Sequence, residues 1–159
     1  MDFNFRPMDN KYAKEILNWH YDKEYSFYDM EFDSEDLEEF LMNMKRNYWE
    51  NKFVVLNKNE NLIGIFSYEF KDNVMEIGLG LKPNLTGKGI GESYIRAGIE
   101  YGKNKFKYNK NIIKLAVASF NKRAIKVYER LGFKETGRYI ENISDKKYEF
   151  IIMTLNLEK

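Results

Sequence analysis

Apolar and polar residues alternate along Phe3-Asn4-Phe5-Arg6 and stop at Pro7, a pattern that predicts a short first strand. Asp9 or Asn10 then caps a run in which Ala13, Ile16 and Leu17 recur at helical spacing as far as His20. The next segment, Trp19 to Tyr28, is crowded with aromatic rings and follows no period of either kind. Such rings either line a ligand pocket or plug the end of a core. Ser34 offers an N-cap for a second helix with Leu37, Phe40, Leu41 and Met44 on one face. Phe53 to Leu56, Leu62 to Tyr68 and Val74 to Leu81 read as three strands, parted by the turn-rich Asn57 to Asn61 and by Asp72-Asn73. They predict an antiparallel meander. Gly78 and Gly80 inside its last strand mark a bulge or a close approach of backbone.

A third helix carries Ile90, Tyr94, Ala97, Gly98 and Tyr101 on one face, widened by Ile95 and Ile99. Gly102 and the lysine-rich stretch Lys103 to Lys110 are expected to end it. Ile112 to Val117 is almost continuously apolar, as in a strand covered on both faces, so strand, helix and strand make one parallel crossover. Asn121 caps a fourth helix with Ala124, Tyr128 and Leu131 on one face, and Gly132 stops it. Phe133 to Ile140 and Tyr148 to Leu157 form a closing hairpin about Asn142 to Lys147. The order is β-α-α-β-β-β-α-β-α-β-β. We expect one α+β domain over residues 1–159, a central mixed, mostly antiparallel sheet flanked by helices.

Candidate chemistry concentrates between Leu79 and Glu92, where a strand gives way to a helix through Gly87, Gly89 and Gly91. Glycines there allow φ > 0 and bring amide N–H groups close to a ligand, and the helix that follows aims its positive end at the same spot. The arrangement suits a phosphate or pyrophosphate; a plain connecting turn is the alternative. Composition narrows the rest. An apolar fraction of 43% supports a packed core, and a net charge of +1 gives no reason to expect nucleic acid or a membrane as partner. With no cysteine there is no thiol nucleophile, and with one histidine no His-rich metal site. Asp29, Glu31, Asp33 and Glu35 alternate as in a calcium loop, but the sixth position is Ser34 and the twelfth Phe40, so no metal is expected. No run of 18 apolar residues and no signal-like N-terminus occur, so a soluble cytoplasmic protein is expected.

Two segments carry a resemblance that spans essentially the whole chain. Thr86-Gly87-Lys88-Gly89-Ile90-Gly91 is similar to the pyrophosphate loop (Gln/Arg)-x-x-Gly-x-(Gly/Ala) of the GCN5-related N-acetyltransferase (GNAT) superfamily. Asn121 to Phe133 resembles that superfamily's Asn-x-x-Ala-x-x-x-Tyr-x-x-x-Gly-Phe segment. The resemblance implies acetyl-CoA as co-substrate. Leu79, Gly80 and Leu81 would present backbone groups to pantetheine and the thioester. Thr86, Gly87, Lys88, Gly89, Ile90, Gly91 and Glu92 would surround the pyrophosphate, with Asn121 and Ala124 adding contacts from the fourth helix. Tyr128 would protonate the departing thiolate.

Two departures stand out. Thr86 replaces the family's Gln or Arg, and Ala116 stands where ribosomal-protein alanine acetyltransferases of this superfamily often carry a glutamate base. Glu76, one strand earlier, or a water is then the expected base. The leading expectation is transfer of acetyl to a primary amine of a small molecule or peptide, by direct attack in a ternary complex of a monomer or homodimer. Trp19, Tyr21, Tyr25 and Tyr28 are expected to line the acceptor site near the closing hairpin, where aromatic and acidic residues suit a cationic amine. A different acyl-CoA, a non-catalytic acyl-CoA sensor, and an RNA-binding module resting on Lys103 to Lys110 remain as alternatives.

Overall fold

The computed structural model describes residues 2–158. Its elements follow the expected order: β1 Asn4–Pro7, α1 Asn10–Ile16, α2 Ser34–Arg46, β2 Lys52–Leu56, β3 Leu62–Lys71, β4 Val74–Leu81, α3 Gly91–Lys105, β5 Ile112–Ala118, α4 Lys122–Leu131, β6 Lys134–Ile143 and β7 Lys146–Asn156. Two 3₁₀ turns are added, at Lys23–Tyr28 and Pro83–Leu85. The strands form one sheet in the order β1-β2-β3-β4-β5-β7-β6, antiparallel except where β4 meets β5.

Side-chain alternation sorts the strands between two cores. On one face Phe66, Tyr68, Met75, Ile77, Ile113, Leu115, Val117, Ile151 and Met153 pack with Tyr94 and Ile95 of α3 and Tyr128 of α4. On the other, Val54, Leu56 and Leu62 pack with Ala13 and Ile16 of α1, with Trp19 from the segment that follows it, and with Phe40 of α2. Helix α3 lies very close to the sheet because it presents glycines there. A Cβ on Gly98 would collide with Phe66 and one on Gly102 with Tyr68, whose hydroxyl donates to Gly98 O at 2.6 Å.

Several local expectations change. Gly102 does not end α3; the helix continues to Lys105, because Gly102 serves as a seat for the Tyr68 ring. Asp33, not Ser34, caps α2, accepting from Glu35 N at 3.0 Å and Asp36 N at 3.3 Å. Leu41 is exposed, so the buried stripe of α2 narrows to Phe40 with Met44 beside it. The sheet's register shifts lie at Val55/Leu56 and Glu135/Gly137, while β3–β4 pairing through Gly78 and Gly80 is unbroken. Strand β5 buries Ile113, Leu115 and Val117 in alternation, with Ala118 at its end, and leaves Ala116 exposed. The closing hairpin is longer than expected and turns on Ser144-Asp145, both with positive φ (50° and 67°), the geometry that matches strand twist in a two-residue loop.

The aromatic residues of the lysine-rich stretch face inward. Phe106 packs on Phe53, Tyr68 and Phe70. Buried Tyr108 accepts from Met75 N at 3.2 Å and donates to Ile112 O at 2.6 Å, so it bridges β4 and β5. An RNA-binding reading of this stretch therefore loses its rings to the core.

Candidate functional site

Strands β4 and β5 pair only at Met75–Ile113 and Glu76–Lys114, where Tyr108 holds them, and then part. The gap between Ile77–Leu81 and Leu115–Ala118 opens into a cleft of about 1100 Å³. That exceeds the usual roughly 300–1,000 Å³ of a small-molecule site, so it has room for a large ligand. Lys82 N bonds Ile63 O at 2.8 Å, so alternate residues Leu79 and Leu81 turn their own N–H and C=O toward the gap. Leu81 O receives the Tyr21 hydroxyl at 2.6 Å. Tyr94, buried beneath, places its hydroxyl 2.7 Å from Gly80 O and 3.0 Å from Ile65 O, donating to one at a time.

One end of the cleft is built for an anion. Gly87 and Gly89 adopt positive φ (71° and 80°), and a Cβ on Gly89 would meet nothing within 4 Å. Among the described residues no side chain caps the N-terminus of α3, which leaves its first-turn N–H groups and dipole facing the turn. Among the described residues that line the cleft, Lys88, Arg96, Arg123, Lys126 and Arg130 are cationic and Glu92 is the single acid, in a chain whose net charge is only +1. Arg130 and Glu92 are paired at 2.7 Å. The remaining cationic surplus, with the open glycine turn, fits the phosphates of an acetyl-CoA. Thr86 lines the cleft, but its hydroxyl donates to Pro83 O at 2.8 Å.

At the point where the strands part stands Tyr128, on the buried face of α4. Burial raises its pKa above the ordinary tyrosine value, so it holds its proton at neutral pH. Among the described residues its hydroxyl has no hydrogen-bond partner. Asn121 divides its two polar ends: Oδ1 accepts from Ala124 N at 3.1 Å and caps α4, while Nδ2 donates to the Tyr28 hydroxyl at 3.0 Å. Ala124 lines the cleft beside it.

The aromatic segment forms the opposite wall. Tyr21, Tyr25 and Tyr28 line the cleft with Phe150, whereas Trp19, though it touches the lining, is 7% exposed and belongs mainly to the second core. Phe27 fills the space toward the closing hairpin, packed against Phe32, Phe120, Tyr148 and Phe150. The acids of this region do not line the cleft. Asp29 accepts from Tyr21 N at 2.8 Å and pairs with His20 at 3.0 Å, raising the histidine pKa, and Asp33 is engaged as a cap. Glu31 lies 3.8 Å from the same His20 nitrogen.

Glu76 is the predicted site residue that the structure does not bring to the cleft lining. It shares a face with Gly78 and Gly80, but its carboxylate lies beside Lys71 at 3.6 Å, next to the closed end of the gap. Sequence reasoning also missed Tyr94, Tyr108 and Arg123. The first two carry no local signal, since Tyr94 acts on β3 and β4 and Tyr108 joins β5 to the distant β4.

Known proteins resemble this chain. The profile of the Acetyltransferase (GNAT) family matches residues 13–133. A spermidine N(1)-acetyltransferase of Vibrio cholerae is 27% identical over 131 residues, 80% of this chain and 71% of that protein. An uncharacterized N-acetyltransferase of Methanocaldococcus jannaschii is 36% identical over 100 residues, 58% of this chain and 42% of that protein. Among solved structures, a SpeG spermidine N-acetyltransferase chimera from Vibrio cholerae and hSSAT superposes with a TM-score of 0.76 at 21% identity, covering 99% of this chain and 96% of that one. This last likeness shows the fold.

Proposed function

Because this chain belongs to the acetyltransferase (GNAT) family and is an acetyl-CoA-dependent N-acetyltransferase, we propose that it acetylates a primary amine of a small molecule or peptide by direct attack, with both substrates bound. The observation that carries this reading is the Tyr128 hydroxyl, protonated, on a buried ring that lines the cleft, and without a hydrogen-bond partner among the described residues. Bound acetyl-CoA supplies an activated thioester, and this chain positions it. The amides of Gly87 to Gly91 and the N-terminus of α3 hold the phosphates, and the free edge of β4 at Leu79 aligns the pantetheine arm. Tyr128 then donates its proton as sulfur takes up charge, and a fixed donor at that point lowers the barrier without reorganisation.

The amine must reach this point neutral. With Ala116 on β5 and Glu76 held beside Lys71 outside the lining, water in the open cleft is the group that accepts the amine proton. The acceptor lies against Tyr21, Tyr25, Tyr28 and Phe150. Among the described residues that line the cleft no carboxylate joins this wall, Asp22 lying in the adjoining pocket behind Tyr21 and Tyr25, so a cationic acceptor would be recognised mainly by ring faces.

The test is release of CoA from acetyl-CoA in the presence of polyamines, amino acids, amino sugars and N-terminal peptides. Acceptor-dependent turnover with one acetyl group on nitrogen per CoA released supports the reading. Tight binding of acetyl-CoA without turnover on any amine would instead support a sensor of acyl-CoA.

A further inference from the structure

The glycine turn of this chain lacks a side-chain ligand at its first position, where Thr86 directs its hydroxyl to Pro83 O. A guanidinium from another element stands next to that gap. Arg123 Nη1 lies 3.2 Å from where a Cβ on Gly87 would be, and its Cζ sits 4.5 Å from the centroid of the Tyr25 ring. We propose that Arg123 is a cofactor-positioning residue that supplies the charged contact to the acetyl-CoA phosphates which Thr86 does not make. This rests on the acetyl-CoA reading given above.

Three observations support the assignment. Arg123 has no carboxylate within 4.0 Å and donates no hydrogen bond among the described residues, while Arg130 on the same helix is paired with Glu92. An unpaired guanidinium on the wall of a cleft is available to an anion. Its placement also opposes local helix energetics. Lys122 and Arg123 are both cationic and open α4, whose first turn holds no acid, although a helix N-terminus disfavours positive charge. An anion bound between α4 and the glycine turn reverses the sign of that effect. Finally, the cation–π contact with Tyr25 restrains the guanidinium at the cleft wall while its N–H donors stay unused among the described residues, so a fork for phosphate oxygens is held ready that a lysine cannot reproduce.

The same contact ties the phosphate end of the cleft to its aromatic wall. Tyr25 lines the cleft beside Tyr21 and Tyr28, so one side chain touches both the turn that holds the cofactor and the wall that faces the acceptor.

The experiment compares two donors by titration calorimetry: acetyl-CoA, and acetyl-pantetheine, which has the thioester arm and no phosphates. Arg123→Ala is expected to weaken acetyl-CoA binding by about 10- to 100-fold, the range for a lost charge-assisted bidentate contact. Acetyl-pantetheine binding should stay within about twofold of the wild type, and Arg123→Lys should recover only part of the loss. Equal weakening of both donors would show that Arg123 merely supports the wall, and unchanged acetyl-CoA binding would show that it makes no contact; either overturns the proposal. A wild-type protein that binds no acetyl-CoA would fail earlier, and would overturn the acetyl-transfer reading itself.

Discussion

Replacing Tyr128 with phenylalanine removes one oxygen from a side chain whose ring is otherwise part of the core, packed against Phe133 at 5.8 Å between centroids. Because the hydroxyl has no partner among the described residues, its loss strands no donor or acceptor. Folding stability should therefore change by less than about 0.5 kcal/mol. Catalysis should not be spared. Proton donation by a positioned group contributes typically 10²- to 10⁴-fold, which at 1.36 kcal/mol per decade is about 2.7–5.5 kcal/mol of barrier. A single-turnover assay with pre-bound acetyl-CoA, read by trapping of the released thiol, isolates that step from product release. Burial raises the Tyr128 pKa above its ordinary value, so no alkaline decline traceable to this residue is expected below about pH 10. A single-turnover rate within about tenfold of the wild type, in a variant of unchanged stability, would refute the acid role.

Three further outcomes follow from the geometry. Gly89→Ala places a Cβ at φ +80°, where it touches nothing, so the cost is backbone strain of about 1–2 kcal/mol; calorimetry should show weaker acetyl-CoA binding from a folded protein. Glu76→Gln should leave kcat/KM within about twofold, since the side chain faces Lys71 outside the cleft; a hundredfold loss would return Glu76 to the role of base. Asp36 has its pKa raised to about 6, first by burial and then by Asp33, Glu39 and Glu141. A carboxyl whose folded pKa lies above its unfolded value destabilises the fold above that folded pKa, and the penalty fades as pH falls from about 6 toward 4. Asp36→Asn should thus raise thermal stability at pH 7–8, by under about 1 kcal/mol at so partly exposed a site, with a gain that vanishes near pH 4.

The order of elements was readable because each announces itself locally. Period-two runs, helical spacing and the stops at Pro7 and Gly132 need no knowledge of the rest of the chain. The glycine turn and the Asn121 to Phe133 segment were readable for the same reason. What stayed hidden depends on partners distant in sequence. Gly102 looks like a helix stop until Tyr68 is seen resting on it. Tyr108 looks like part of a basic surface stretch until its hydroxyl is found between Met75 and Ile112. The acids from Asp29 to Glu35 read either as a solvated rim or as a surface for cations, and in the fold local backbone N–H groups and His20 engage Asp29 and Asp33. The position of Glu76 was hidden too: its strand is local, but the short β4–β5 pairing beside which it lies depends on a strand that starts at Ile112.

That short pairing has a consequence for how the molecule comes into being. The lining of the cleft reaches from Ile16 to Phe150, and the two strands that flank it pair only at residues 75–76 and 113–114. No fragment that stops before β5 contains a gap at all, and parallel pairing across an intervening helix is slow to form. The donor binds only the finished chain, so every increment of its affinity is transmitted to the whole fold by mass action, as RT ln(1 + [L]/Kd). A cell that runs short of acetyl-CoA would loosen this protein as well as starve it.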